Sequence, residues 1–192
     1  MAYVGFEEVI VGIFDDAGEK IKELFTWKDE KGGTVNLNIT GLEKEISEVW
    51  ASDKRVWMSK RGTGAVTSSF ESFNPPQADL DKVLGRDIDT NGTSWAGSDT
   101  NPPYVAMIAK SHDIDGEPVY LALVKGMFGQ NEENLATNTN ESTTPGNTTL
   151  TGSWQNKDIE GKSRVYGKHI GEEGYDAFYA LVFPDATVDA EA

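Results

Sequence analysis

The sequence predicts a mainly β protein, folded as a β-sandwich or barrel-like sheet with one or two short flanking α-helices. Many short apolar segments are separated by turns rich in Gly, Asn and Asp, which is typical of such folds. Residues 34–40 alternate strictly between apolar and polar side chains, as expected of a half-buried strand. Two segments, residues 80–84 and 175–182, combine helical spacing of apolar residues with a Gly or Pro stop.

The first half of the chain predicts strands joined by turns. In the alternating segment, Val35, Leu37 and Ile39 share the apolar face, and the Asn and Thr side chains share the polar face. The intervening turns contain Gly or neighbouring acidic residues, which favour tight changes of direction. We expect further strands over residues 2–14, 21–27, 56–58 and 65–73.

Residues 42–50 allow two interpretations. Four apolar residues of this segment have the spacing i, i+4, i+7, i+8, which predicts one face of an amphipathic helix. A strand would instead place Ile46, Glu48 and Trp50 on one face, which is a poorer pattern. The local sequence leaves both interpretations open.

In the second half, a helix is expected to follow Pro75-Pro76 and to end at Gly85. Residues 87–101 are rich in Gly, Asn, Asp and Ser and predict a loop. Residues 118–128 are apolar on both faces, which predicts a central strand. We expect other strands over residues 103–109, 150–155 and 163–169, and a second helix over residues 175–182.

We expect a single domain over residues 1–184. It contains a long β excursion, residues 31–73, with two of the five tryptophans, so another surface is expected to cover it. Residues 129–149 are mostly Asn, Thr, Glu, Ser, Gly and Pro, which predicts an exposed, mobile polar loop. Residues 185–192 predict a flexible acidic tail.

The charge of the chain bears on its partners. Its 192 residues include 17 basic and 32 acidic side chains, for a net charge of −15. Tight binding to nucleic acid normally requires a basic patch, and the local cluster of Lys54, Arg55, Lys60 and Arg61 is short. No apolar run is long enough to span a membrane, and no basic segment precedes an apolar one at the N-terminus. We therefore expect neither a membrane partner nor a secretory signal.

No residue pattern predicts catalysis. The chain has no cysteine and two histidines. Residues 87–92 match the first half of a calcium loop, but Ser98 occupies the position of the bidentate Glu, so an ordinary turn is favoured. The run Ser-His-Asp at residues 111–113 lies on one strand, whereas triads are assembled from separate segments. His169 is expected at a surface or interface. We therefore predict a protein that is not an enzyme and needs no cofactor or metal.

The five tryptophans offer one alternative function. Trp27, Trp50, Trp57, Trp95 and Trp154 would suit a sugar-stacking platform in a non-catalytic carbohydrate-binding β-sandwich. Packing in cores and interfaces is the commoner use of tryptophan, and it is the favoured interpretation here.

An ordered set of segments resembles a known family. The segments are KGGTVNLNITGL, ASDKRVWMSKRGTGAV, a short helix ending in VLGR, DTNGTSWAGSDTNPPYVAMI, PVYLALVKGMF and LTGSW. Together they cover roughly residues 4–183. They look like the major tail proteins, or tail tube proteins, of siphophages that infect Gram-positive bacteria.

The resemblance implies a tail tube fold and a structural role in the virion. Six copies would form a ring, and rings would stack into a hollow tube that delivers viral DNA to the host without binding it specifically. A long loop or hairpin would bridge to the next ring. The other implied partners are the tape measure, tail terminator and distal tail proteins, with assembly in the host cytoplasm. The resemblance also favours a strand over residues 43–50.

The candidate interface residues lie in the excursion over residues 31–73, because this is the segment that another copy would cover. The segment contains two tryptophans and the basic cluster of an otherwise acidic chain. If another copy covers it, Trp50, Lys54, Arg55 and Trp57 are the side chains expected to form a contact between subunits or rings.

Overall fold

A computed structural model describes residues 2–135, 137 and 145–186. Within these residues the chain forms a mainly antiparallel β fold with two short helices. The elements, in chain order, are β1 (Tyr3–Phe14), β2 (Ile21–Lys28), β3 (Gly33–Thr40), β4 (Ser47–Ala51), β5 (Lys54–Ser59), β6 (Val66–Phe73), α1 (Gln77–Leu84), β7 (Asp87–Ile88), β8 (Ser94–Trp95), β9 (Val105–Asp113), β10 (Pro118–Gly129), β11 (Thr148–Trp154), β12 (Lys157–Ile159), β13 (Lys162–Arg164), β14 (Tyr166–Ile170) and α2 (Tyr175–Val182).

The main sheet has the strand order β2-β1-β9-β10-β11-β6-β3, with β14 also paired to β10. Strand β10 joins two layers because its two halves have different neighbours. Its first half, residues 118–123, pairs with β9 and β14, and residues 126–129 pair with β11. One layer is therefore β2-β1-β9-β10-β14, and the other is β10-β11-β6-β3. The predicted central strand is confirmed.

The main core lies between these layers. Trp27 of β2 and Phe70 of β6 stack with ring centroids 5.7 Å apart and planes 3° apart. Phe6 of β1 meets Phe70 edge-on at 6.1 Å. The indole N–H of Trp27 donates to the Asp79 carboxylate at 3.1 Å, which ties α1 to this core. Burial of each large aromatic side chain stabilises the fold by about 2–3 kcal/mol. This arrangement confirms the predicted β-sandwich class with short flanking helices, and the sheet does not close into a barrel.

A second core covers the outer face of the first layer, where α2 packs. Alternation along β9 and β10 supplies both faces: Met107 and Leu123 enter the main core, while Ile108 and Tyr120 face α2. Tyr120 stacks on Tyr175 with centroids 4.0 Å apart. The chain thus buries both faces of its central strands, as their apolar sequence predicts.

Strand β3 follows the predicted alternation in part. Leu37 and Ile39 are half-buried against the main core, as predicted. Val35, predicted on the same face, is 45% exposed. The cause is a register shift between Thr34 and Asn36 in the pairing with β6. A shift by one residue moves a side chain to the other face.

The helical interpretation of residues 42–50 is wrong, and the strand favoured by the family resemblance is confirmed for residues 47–51. Two further elements differ from expectation. The loop predicted over residues 87–101 contains the short β7–β8 hairpin. The single strand predicted over residues 163–169 is divided between β13 and β14, and β13 pairs with β12. The helices, α1 with its left-handed Gly85 stop and α2, agree with prediction.

Residues 136 and 138–144 of the predicted loop over residues 129–149 lie outside the described residues, as do residues 187–192 of the predicted tail over residues 185–192. Residues 131–135, 137 and 145–147 of the loop are exposed, as predicted, and its mobility stays a prediction. Strand β10 extends through Gly129, and β11 begins at Thr148.

Candidate functional site: an exposed apolar hairpin

Strands β4 and β5 form a hairpin, called here the β4–β5 hairpin, that leaves the sandwich between β3 and β6. Its strands pair with each other in a sheet separate from the main one. At its base, the Gly64 amide donates to the Gly41 carbonyl at 2.9 Å. Gly41 has φ of 76°, and a Cβ at this position would collide with the Ala65 carbonyl. This tight base therefore requires glycine at position 41.

A tight turn sets the register of the hairpin. Ser52 and Asp53 have φ of 52° and 60°, the two positive values that the favoured two-residue hairpin turn requires. Val49 lies opposite Trp57, and a bulge then brings Trp50 opposite Arg55. The neighbours Val49 and Trp50 point to opposite faces, so the hairpin presents one tryptophan on each face.

The hairpin is apolar and uncovered. Every residue from 42 to 58 is exposed, and Trp50 and Trp57 are 61% and 53% exposed. An isolated two-stranded hairpin is at best marginally stable in water. Contiguous exposed apolar side chains mark interaction surfaces. The other large apolar side chains exposed on this segment are Leu42, Ile46, Val49, Val56 and Met58.

Charged groups flank the apolar side chains. The Glu48 carboxylate accepts the indole N–H of Trp50 at 2.9 Å and lies 3.4 Å from the Arg55 guanidinium. The hydrogen bond from Trp50, followed by the interaction with Arg55, lowers the pKa of Glu48. Lys60 pairs with Glu43, whereas Lys54 makes no ion pair within the described part of the chain. The tip of the hairpin carries both signs of charge, because Asp53 lies in the turn beside Lys54, and the excess of positive charge lies along residues 54–61.

The four predicted interface residues thus lie on one small element. Trp50 and Arg55 share a face, Trp57 lies on the other, and Lys54 is beside the turn. The sequence pattern gave no sign of this division, because it depends on the bulge between Val49 and Trp50.

The other candidate sites have local structural roles. The Asp89 carboxylate in the β7–β8 hairpin accepts the amides of Asn91 and Thr93 at 2.8 and 3.0 Å and the indole N–H of Trp95 at 3.1 Å. These bonds, that of Thr93 first, lower the pKa of Asp89. The ordinary turn favoured from the sequence is confirmed. In residues 2–135, 137 and 145–186, no group of three or more His, Asp and Glu side chains is placed to hold a metal ion.

The Ser-His-Asp run does not form a catalytic relay. The hydroxyl of Ser111 donates to the Gly5 carbonyl at 2.6 Å, and His112 Nδ1 lies 3.1 Å from the Glu7 carboxylate. His169, expected at a surface or interface, is half-buried, and its ring stacks on Phe178 of α2 with centroids 5.4 Å apart.

The five tryptophans do not form one platform. Trp27 and Trp154 are buried in the main core. Trp154 donates its indole N–H to the Ser68 hydroxyl at 2.8 Å. Trp50 and Trp57 occupy opposite faces of the β4–β5 hairpin, and Trp95 lies on the separate β7–β8 hairpin. This distribution confirms core packing for Trp27 and Trp154 and argues against a single sugar-stacking platform, and interface packing of the exposed tryptophans stays a prediction.

The fold and the hairpin define a β-sandwich protein with a projecting, uncovered apolar hairpin. The chain belongs to the phage tail tube protein family, whose model matches residues 1–187. It is therefore a structural protein of a bacteriophage tail tube, located in the virion. A comparison with curated proteins found no match. None of the helices in the described residues is both long enough and apolar enough to cross a membrane.

Proposed function

We propose that residues 1–184 form one tail-tube domain, that six copies form a ring, and that the rings stack into the tube through which phage DNA passes into a host cell. The family supports self-assembly into a tube. The observation that carries the proposal is the β4–β5 hairpin, which exposes Trp50 and Trp57 with no cover in the single chain. Trp50, Lys54, Arg55 and Trp57 form the contact with another subunit or ring.

The charge of the chain suits a conduit. Binding to DNA requires neutralisation of its phosphates, and a net charge of −15 per copy opposes this. DNA therefore moves through the lumen without specific binding. The protein catalyses no reaction and needs no cofactor. Its other partners are the tape measure, tail terminator and distal tail proteins, and assembly takes place in the cytoplasm of a Gram-positive host.

Electron microscopy of the purified protein tests the proposal. We expect tubes built of six-fold rings, formed from the protein alone or after seeding with short preformed tubes of the same chain. Monomers that persist over a wide range of protein and salt concentrations, with seeds present, would contradict it. Binding of a defined glycan by the monomer would instead support the carbohydrate-binding alternative.

A further inference from the structure

A groove opens between β1 and β3, and it is called here the β1–β3 groove. It consists of two adjoining depressions of about 620 and 220 Å³ that share Phe6 and Val35. Tyr3 and Val35 on its rim are 47% and 45% exposed. The smaller depression therefore presents mainly apolar surface to solvent, whereas the larger one is lined mostly by polar groups. Its other principal lining residues are Glu7, Glu8, Asp29, Leu37 and Phe73.

Irregular pairing creates this groove. The register of β1 with β9 shifts between Val4 and Glu8, and that of β3 with β6 shifts between Thr34 and Asn36. The hydroxyl of Thr34 donates to the Phe6 carbonyl. In the described residues β1 and β3 share no strand ladder. The two strands thus approach without closing the edge of the sandwich, and side chains from another chain have room to enter.

The groove and the hairpin lie at opposite ends of the same strand pair. Gly33 and Phe73 pair at the groove end of β3 and β6, and Thr40 and Thr67 pair at the other end, where the hairpin begins. The seven steps from Gly33 to Thr40 span about 23 Å at ~3.3 Å per residue. A donor and an acceptor at opposite ends give a head-to-tail contact, which forms an open stack when successive rotations do not close into a ring.

The charges of the two surfaces are complementary. Residues 54–61, on the β5 side of the hairpin, carry four basic side chains and no acidic one. Arg55 and Lys60 are paired with Glu48 and Glu43 of the β4 side, which leaves Lys54 and Arg61 without an ion pair among the described residues. The groove is lined by three carboxylates and one lysine. Glu7 is paired with Lys110 at 3.1 Å, but Glu8 and Asp29 have no ion pair in the part of the chain that the structure describes. The groove end therefore offers negative charge to a basic partner.

We infer that the β4–β5 hairpin of one copy docks in the β1–β3 groove of a copy in the next ring. The apolar side chains of the hairpin cover the groove, Lys54 at the tip faces Glu8 and Asp29, and Arg61 adds positive charge at the base of the hairpin. This inference rests on the proposed stacking of rings and adds the acceptor surface. It also explains why both apolar surfaces are uncovered in the single chain.

Disulfide trapping tests the contact, because the chain has no cysteine of its own. The test variant carries Ala51→Cys near the hairpin tip and Val35→Cys on the groove rim. A disulfide needs Cα atoms within about 7 Å. The separation of the two ends makes the bond within one chain impossible, so oxidation of assembled protein should give a ladder of covalent multimers on a non-reducing gel.

The matched control combines Ala51→Cys with Ala17→Cys. Ala17 is exposed in the β1–β2 turn, at the hairpin end of the sandwich. Both variants are first shown by microscopy to form tubes under reducing conditions. A ladder from the test variant alone supports the inference. Tubes that give no ladder, or a ladder from the control alone, overturn it and leave the tube function intact. Failure of the unmodified protein to form tubes would contradict the tube function itself.

Charge reversal provides a second test that needs no cysteine. Lys54→Glu with Arg61→Glu should raise the protein concentration needed for tube formation at least tenfold. Adding Glu8→Lys and Asp29→Lys to the same chain should restore that concentration to within about threefold of the original. If the four substitutions together are no better than the first two, the two surfaces do not meet.

Discussion

Lys125 and Lys157 both place an ammonium group over the ring of Phe14, at 5.6 and 4.4 Å from its centroid. Lys125 Nζ also donates to the Gly18 carbonyl at 2.9 Å. Lys157 Nζ is buried and has no hydrogen-bond partner among the described residues. Burial, followed by repulsion from Lys125, lowers the pKa of Lys157. The Lys125 ammonium therefore has a hydrogen-bond acceptor in the monomer. The Lys157 ammonium is buried without one, which lowers the free energy of unfolding.

This difference predicts opposite effects for the same substitution. Lys157→Met removes an unpaired charge and keeps most of the aliphatic contact, so the free energy of unfolding should rise by about 1 kcal/mol. Lys125→Met leaves the Gly18 carbonyl without its donor and should lower that free energy by about 1 kcal/mol. Urea unfolding of the monomers measures both. Equal losses in the two variants would contradict this account of Lys157.

The pH dependence gives an independent check on Lys157. Its folded pKa is lowered, so the unfolded chain binds more protons between the folded pKa and the ordinary value of 10.5. Stability contributed through this group must therefore rise with pH across that window. The difference in unfolding free energy between Lys157→Met and the unmodified protein should shrink as pH rises from 7 to 10.5. A difference that stays constant would show that Lys157 is not destabilised by its charge.

Asp81 is a buried carboxylate that connects two elements. It accepts hydrogen bonds from Gln77 of α1 at 2.8 Å and from Ser94 of β8 at 2.6 Å, and Arg86 lies 3.8 Å away. Asp81→Ala removes the buried acceptor that joins α1 to β8 and should lower the free energy of unfolding by about 2–3 kcal/mol. The exposed Asp87 of β7 is the matched control, and Asp87→Ala should change it by less than about 0.5 kcal/mol. Similar losses in thermal and urea unfolding of both variants would refute this role.

At the scale of elements, the sequence predicts the strands and helices whose apolar residues recur at a single regular spacing. The apolar faces of β10 and the glycine stop of α1 are local properties, so they could be inferred without knowing their neighbours. The bulge that exposes Val35 could not, because it depends on how β3 meets β6. The β12–β13 hairpin could not be predicted either, since its strands have three residues each and are too short to show a regular spacing of apolar residues.

The β4–β5 hairpin shows why one local pattern misled. Its apolar residues satisfy the spacing of a helix because a strand pair exposed on both faces has no reason to alternate. Both faces carry apolar side chains here, Val49 with Trp57 on one and Trp50 with Met58 on the other. A helix-like pattern of apolar residues is thus also compatible with a strand pair whose two faces are both uncovered. The candidate residues could be selected from composition, but their division between two faces required the register.

The hairpin should be dispensable for the monomer and required for assembly. Trp57→Ser removes an apolar side chain that is 53% exposed, so the melting temperature of the monomer should change by no more than about 2 °C. The concentration needed for tube formation should rise at least tenfold, as for a buried anchor of an interface. Calorimetry and pelleting measure the two effects.

Trp95→Ser is the matched control, because Trp95 is 58% exposed on a different hairpin. It should leave assembly within about twofold of the unmodified protein. If Trp57→Ser lowers the melting temperature as much as it impairs assembly, the hairpin is part of the fold rather than a contact surface. Trp50→Ser and the pair Lys54→Glu with Arg55→Glu should behave as Trp57→Ser does.

At the scale of the whole molecule, a donor and an acceptor on each copy make stacking directional. A variant with reversed hairpin charge, Lys54→Glu with Arg61→Glu, keeps an acidic groove, so its hairpin is repelled by the groove of another copy of the same variant. A variant with reversed groove charge, Glu8→Lys with Asp29→Lys, keeps a basic hairpin, which is likewise repelled by the groove of another copy of the same variant. The reversed hairpin matches the reversed groove, and the unchanged hairpin matches the unchanged groove. Each variant alone should therefore fail to form tubes.

An equimolar mixture of these two variants should form tubes in which they are present at a ratio near 1:1, because every contact then joins opposite charges. Electron microscopy detects the tubes, and mass spectrometry of pelleted tubes gives the ratio. Raising the salt concentration should weaken the selectivity for the mixture, since exposed charges are screened over about 8 Å at physiological ionic strength. A mixture that stays as inert as its components would show that these charges do not meet, and tubes formed by either variant alone would show that they do not control stacking.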